Sequence, residues 1–165
     1  MNKTIVLGNE GIKTLKNSLL AINTQLENTI DACEREIAEY GANALSELAP
    51  ISAKYDGNYS GSVSFNPTEN GYEVSYEGDQ VAYIEFGTGI TGEGYYPDSD
   101  ILNQANWRYD INDHGLGGWV YKDHRTGEEF HSVGMVGEKP VYRAYRKTEQ
   151  ELPNIVKRVL NEKFN

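Results

Sequence analysis

At 165 residues and 18.5 kDa the chain has the length of one ordinary domain, and with 38% hydrophobic and 24% charged residues it reads as globular but rather polar. A formal net charge of -10 and a pI near 4.7 argue against a protein that grips nucleic acid by its phosphates, because that needs clustered Lys and Arg. Cys33 is the single cysteine, so an internal disulfide and a thiolate metal cluster are excluded, and with no stretch long enough for a secretory signal or a membrane span the expectation is a soluble cytoplasmic chain.

Residues 9–49 place apolar side chains at Ile12, Leu15, Leu19, Ile22, Leu26, Ile30, Cys33, Ile37, Ala44 and Leu48, which predicts a long amphipathic helix ended by Pro50. At ~1.5 Å per residue such a helix is about 60 Å long, more than one small domain covers with its own core. Either part of its stripe packs on neighbouring subunits, or two shorter helices meet near Asn23-Thr24 or Gly41.

After a Ser-, Tyr- and Gly-rich loop the period changes. Segments 62–66 and 72–76 flank Pro67-Thr68-Glu69-Asn70-Gly71, whose Asn-Gly pair predicts a hairpin. Val81 to Phe86 is β-branched and aromatic and predicts a strand ending at Gly87, so residues 62–87 are read as antiparallel strands. Alternation then puts Val81, Tyr83 and Glu85 on one face and Ala82, Ile84 and Phe86 on the other. The Glu85 carboxylate is either solvent exposed or meets a base such as Arg143 or Arg146 of its own or a neighbouring copy.

Residues 88–137 form a glycine- and aromatic-rich insert with Trp107 and Trp119, and with a hairpin predicted around Asp123-His124-Arg125-Thr126-Gly127. Its aromatics either close a local core over a sheet or make a sugar- or protein-binding surface. Pro140 has the character of a first-turn helix residue, with Pro153 expected to break the C-terminal helical segment 140–164 into two bent pieces.

Gly87-Thr88-Gly89-Ile90-Thr91-Gly92 matches the G-x-G-x-x-G pattern of phosphate cradles, which need a helix opening at the third glycine. Here Glu93-Gly94-Tyr95-Tyr96-Pro97 follows, which cannot start a regular helix, and a glycine-allowed turn is the better reading. His114, His124 and His131 with Asp110, Asp113, Asp123, Glu128 and Glu129 show no recognised metal-ligand spacing, and there is no nucleophile elbow. No catalytic residue, cofactor or metal is expected.

Three stretches carry a family resemblance: the long helix ending in Leu48-Ala49-Pro50 with its glycine-containing loop, the string Ala82-Tyr83-Ile84-Glu85-Phe86-Gly87-Thr88-Gly89, and Glu138-Lys139-Pro140-Val141-Tyr142-Arg143-Ala144. In this order they resemble the tail-completion, or head-tail joining, proteins of long-tailed bacteriophages, also labelled putative tail components or minor capsid proteins. Val141 stands where that family usually has Phe, the loop after Pro50 lacks its Asp-Thr-Gly run, and the insert is long.

The resemblance implies an α+β fold, a single domain over residues 1–165, with the N- and C-terminal helices packed on one face of a small, mainly antiparallel sheet. It implies a non-enzymatic structural protein of the virion neck, assembled in the host cytoplasm as a ring, hexameric by that likeness. Head-completion and tail-tube proteins would be its partners, and DNA would pass through without specific binding. Glu85, Phe86, Gly87, Thr88, Gly89, Trp107, Trp119, Arg143 and Arg146 are the expected interface residues. By count, residues 53–100 carry 1 basic and 9 acidic side chains and residues 141–165 carry 6 and 3. Asp79, Glu85, Glu93 and Asp98 would then line a lumen that repels phosphate. A tail-terminator or tube-like ring protein of the same particle is the alternative, and a small metal-dependent hydrolase a more distant one.

Overall fold

A computed structural model describes residues 9–49, 61–78, 80–123 and 126–164. The fold is α+β. Helix α1 runs unbroken over Asn9–Leu48, so the long-helix expectation holds and the bend near Asn23 or Gly41 does not occur. Nothing in this stretch removes a backbone donor, and the chain leaves the helix at Ala49, the residue whose α conformation the Pro50 ring disfavours.

Strands β1 (Ser62–Thr68) and β2 (Gly71–Glu77) form the expected hairpin, with Phe65 opposite Val74 and Thr68 opposite Gly71. The chain reverses at Glu69-Asn70, and Gly71 follows at φ +134, a conformation that side chains rarely adopt. The hairpin lies against α1, where the Tyr72 hydroxyl donates to Asp31 Oδ1 at 3.1 Å.

The segment expected to be the next strand is instead helix α2 (Val81–Phe86), a correction to the reading of 62–87 as strands. Propensity for β structure is a weak prior that packing overrides. A strand would send Ile84 and Glu85 to opposite faces, whereas a helix turns both toward the same interior, and both are buried. Gly87 then leaves the helix at φ +88 and starts the two-residue strand β3 (Gly87–Thr88), followed by the single turn α3 (Gly89–Gly92).

Within the insert, Asp98 caps helix α4 (Ser99–Gln104) by accepting from the amides of Asp100 and Ile101. A 3-10 turn at Gly115–Gly117 leads to strands β4 (Trp119–Lys122) and β5 (Glu129–Ser132), paired as the expected hairpin. Its turn is tied by Asp123, whose carboxylate accepts from the Thr126 amide at 3.0 Å, while His124 and Arg125 lie outside the described residues. Strand β6 (Met135–Val136) pairs antiparallel with β3. The described strands therefore form three two-stranded ribbons in place of one sheet.

Helix α5 spans Pro140–Phe164 without interruption, so Pro153 does not divide it. Pro153 is exposed while Ile155 and Val159 beside it are buried. The missing backbone donor thus faces water, and the buried face holds the helix together.

α5 lies antiparallel along α1, as cross-links from Lys147 to Glu47, Arg158 to Glu36 and Gln25 to the Lys163 carbonyl show. Ala44, Leu45 and Ala144 are buried where the two helices and the first hairpin meet, with Tyr40, Leu48, Val63, Val74 and Tyr76 around them. Gly41 faces α5 at Thr148, where a Cβ would sit at ordinary contact distance, 3.4 Å from its Oγ1.

Candidate functional site at the junction of α2 and α5

The second and third resemblance-bearing stretches meet in space. Pro140 occupies the first position of α5, so the amides of Val141 and Tyr142 are among those a helix leaves without internal partners. The residue before it, Lys139, has φ +58 and turns its own ammonium to the Gly137 carbonyl at 3.0 Å, so it supplies no cap. Glu85 does so from another element. Its Oε2 accepts from the Val141 amide at 2.8 Å and its Oε1 from the Tyr142 amide at 3.0 Å. These are the two amides that a side-chain N-cap normally serves, and a negative charge there also meets the positive end of the helix.

A third bond closes the set, the Tyr96 hydroxyl donating to Glu85 Oε1 at 2.9 Å. Glu85 is only 4% exposed, which overturns both expectations for it: it is not at the surface, and its partners are amides and a phenol, not Arg143 or Arg146. Both arginines lie exposed on α5, Arg146 paired with Glu149 one turn along. Burial first, and the Glu85 charge second, push the Tyr96 phenol far above its ordinary value of 10.0.

Backbone contacts draw the same elements together. The Ile84 carbonyl accepts from the Glu138 amide at 2.7 Å. A Cβ on Gly137 would fall 2.3 Å from the Glu85 carbonyl oxygen, and one on Gly87 would fall 2.5 Å from that of Met135. Such separations leave room for hydrogen alone.

The amides of the glycine-rich stretch are committed as well: Gly89 donates to the Tyr109 carbonyl at 2.6 Å and Thr91 to that of Val133 at 3.3 Å. α3 ends at the third glycine instead of opening there. The G-x-G-x-x-G match is therefore a packing device, and Gly87 and Gly89 are buried within it while Thr88 is half-buried.

The two tryptophans are separated. Trp107 belongs to a local aromatic core, with ring centroids 5.2 Å from Phe86 and 5.4 Å from Tyr83, and Phe86 continues it to Tyr96 at 4.9 Å. Trp119 instead stands 5.3 Å from the His114 ring and lines an open cleft of about 700 Å³ with Tyr83, Thr88, Arg108, Tyr109 and Tyr121. The local-core reading of the aromatic insert thus holds for Trp107, while Trp119 stands apart from that core.

At the floor of the cleft His114 Nδ1 lies 3.1 Å from Asp110 Oδ1, and Asp110 Oδ2 accepts from the Gly115 amide at 2.7 Å. Backbone hydrogen bonds from Gly115 and His114 hold the Asp110 carboxyl below its ordinary value of 3.8, with the His114 side chain adding to the effect. His131 Nε2 lies 2.7 Å from the Gly117 carbonyl oxygen. Among the described residues no group of three His, Cys, Asp or Glu side chains is placed to hold a metal ion.

Of the acidic residues assigned to a lumen, Glu85 is buried, Asp98 caps α4, Glu93 is exposed and Asp79 lies outside the described residues. Tyr96 and Tyr142, which flank the buried carboxylate with rings 5.8 Å apart, were not singled out by sequence reasoning. A Glu inside an apolar string carries no signal for a partner 56 residues away. Comparison with family models, with curated proteins and with solved structures finds no match.

Proposed function

We propose that the chain is a structural assembly protein of a tailed phage or prophage, which joins head to tail in the neck as a ring around the DNA path. One observation supports this most: the two most recognisable resemblance-bearing strings, 82–89 and 138–144, are the strings that Glu85 ties together. They form a junction of backbone and side-chain hydrogen bonds around the buried Glu85, with an aromatic cleft on one side and the exposed Arg143 and Arg146 on α5. Such an arrangement suits a part that presents fixed surfaces to neighbours. The chemistry assigned to the metal-hydrolase alternative has no support among the described residues, where His114 and His131 are engaged separately.

The lumen-facing acid in this proposal falls to exposed residues such as Glu93, since Glu85 is committed inside. Disruption of the gene in the phage that carries it tests the role. Filled heads and separate tails of normal length, rejoined on adding the purified protein, are the expected outcome. Tails of uncontrolled length would point to a terminator, and intact infectious particles would refute the proposal.

A further inference from the structure

The N-terminal part of α1 leaves the body of the molecule. Gln25 bonds to the carbonyl of Lys163, at the end of α5, so α5 covers α1 only from about that point onward. Ile12, Leu15, Leu19 and Ile22 before it, and Leu26 just past it, are 49–61% exposed. Their spacing alternates three and four, the heptad pattern of a coiled-coil seam, which calls for a helix as its cover rather than a sheet or a loop. The seam continues under α5: Thr29 is buried, Glu36 pairs with Arg158, and Tyr40 packs on the main core.

We infer that this seam pairs antiparallel with the same segment of a second copy of the chain. Direction follows from α5, which already lies antiparallel on the continuing seam. In a parallel pair both copies would bring α5 between the two α1 helices, and at 8 to 10 Å per packed helix, roughly, this would hold the seams apart. An antiparallel partner instead continues the line of α5.

The register agrees with the lengths. Placing Ile12 against the partner's Ile22 and Leu15 against the partner's Leu19 gives four apolar layers. It also brings the beginning of the partner's helix opposite Gln25, where α5 stops.

Half-exposed Leu and Ile side chains leave roughly 90 Å² uncovered each, so the four per copy that form these layers bury on the order of 700 Å² in the pair, below the size of a standard stable interface. The pair is accordingly reversible and depends on concentration. It uses α1 alone and leaves the Glu85 junction and the cleft free, so it holds whether or not the chain joins heads to tails.

Sedimentation equilibrium of the full chain tests it. The weight-average mass should rise from one chain toward two across the micromolar to millimolar range, and Leu19→Glu should hold it at one chain with near-UV dichroism unchanged. Direction is read in a Cys33→Ser background: a mixture of Leu15→Cys and Leu19→Cys chains should form the mixed disulfide several-fold faster than either forms its own. A monomer at all concentrations, or faster linking of Leu15→Cys to itself, would each overturn the pairing.

Discussion

Glu85 shows how one residue sets the cost of a whole junction. Replacing it with Ala leaves the part-buried Val141 and Tyr142 amides and the buried Tyr96 hydroxyl without the acceptor they share. Each orphaned group costs about 1 kcal/mol or more, so Glu85→Ala should lose about 3 kcal/mol in urea unfolding. Glu85→Gln keeps an acceptor oxygen but not the charge at the helix end, and about half that loss is expected. Equal losses for the two variants would mean that volume, not the cap, is what matters. Tyr96 makes the alkaline counterpart. A phenol whose folded value is raised contributes stability that is present below its unfolded value of 10.0 and lost as pH rises above it. Spectroscopic titration of the native protein should therefore leave Tyr96 un-ionised at pH 11, and Tyr96→Phe should shorten that lag, to which the raised phenols of Tyr72, Tyr76 and Tyr109 also contribute.

At the scale of elements, the contrast lies between α5, which keeps its shape despite Pro153, and α2, which forms against its propensity. Pro153 is exposed and its lost hydrogen bond is open to water, so Pro153→Ala should preserve the fold and stabilise it by about 1 kcal/mol, measured as a raised urea midpoint. The α2–β3 corner tolerates no such change. A methyl at Gly137 meets the Glu85 carbonyl oxygen and the Gly87 amide, and neither is a flexible side-chain end that can move aside. Gly137→Ala is expected to cost about 3 kcal/mol or to prevent folding, seen as loss of soluble protein or of the thermal transition. The Asp110 turn sits between these extremes. Its depressed carboxyl contributes order above the ordinary value of 3.8, which is lost as pH falls below it, so the Gly115 amide should exchange faster only under that acid condition.

For the molecule as a whole, stability is graded along α1. Residues 29–48 pack on α5 and the first hairpin, with Thr29, Ala44 and Leu45 buried, whereas residues 12–26 expose every large apolar side chain. Hydrogen exchange in dilute solution should show strong protection from about residue 29 onward and weak protection before residue 25, with the earlier residues gaining protection as concentration rises. Uniform protection along the helix would contradict this gradient. Exposed ion pairs such as Arg158–Glu36 and Lys147–Glu47 add little to the grip between the helices, being open to solvent and salt.

The α+β class, the extent of α1, the first hairpin, the hairpin around Asp123 and the start of α5 were legible in the sequence, because period, turn chemistry and proline position are local properties. What only the tertiary structure decided was the conformation of residues 81–86, the continuity of α5 through Pro153, and the place of Glu85. In each case the deciding energy comes from a distant part of the chain: the buried face of α1 under Ile155 and Val159, and the two free amides of α5 that a carboxylate 56 residues earlier satisfies. The β-branched and aromatic content of the string from Val81 to Phe86 pointed to a strand, since nothing nearby discloses that Ile84 and Glu85 are needed on one side.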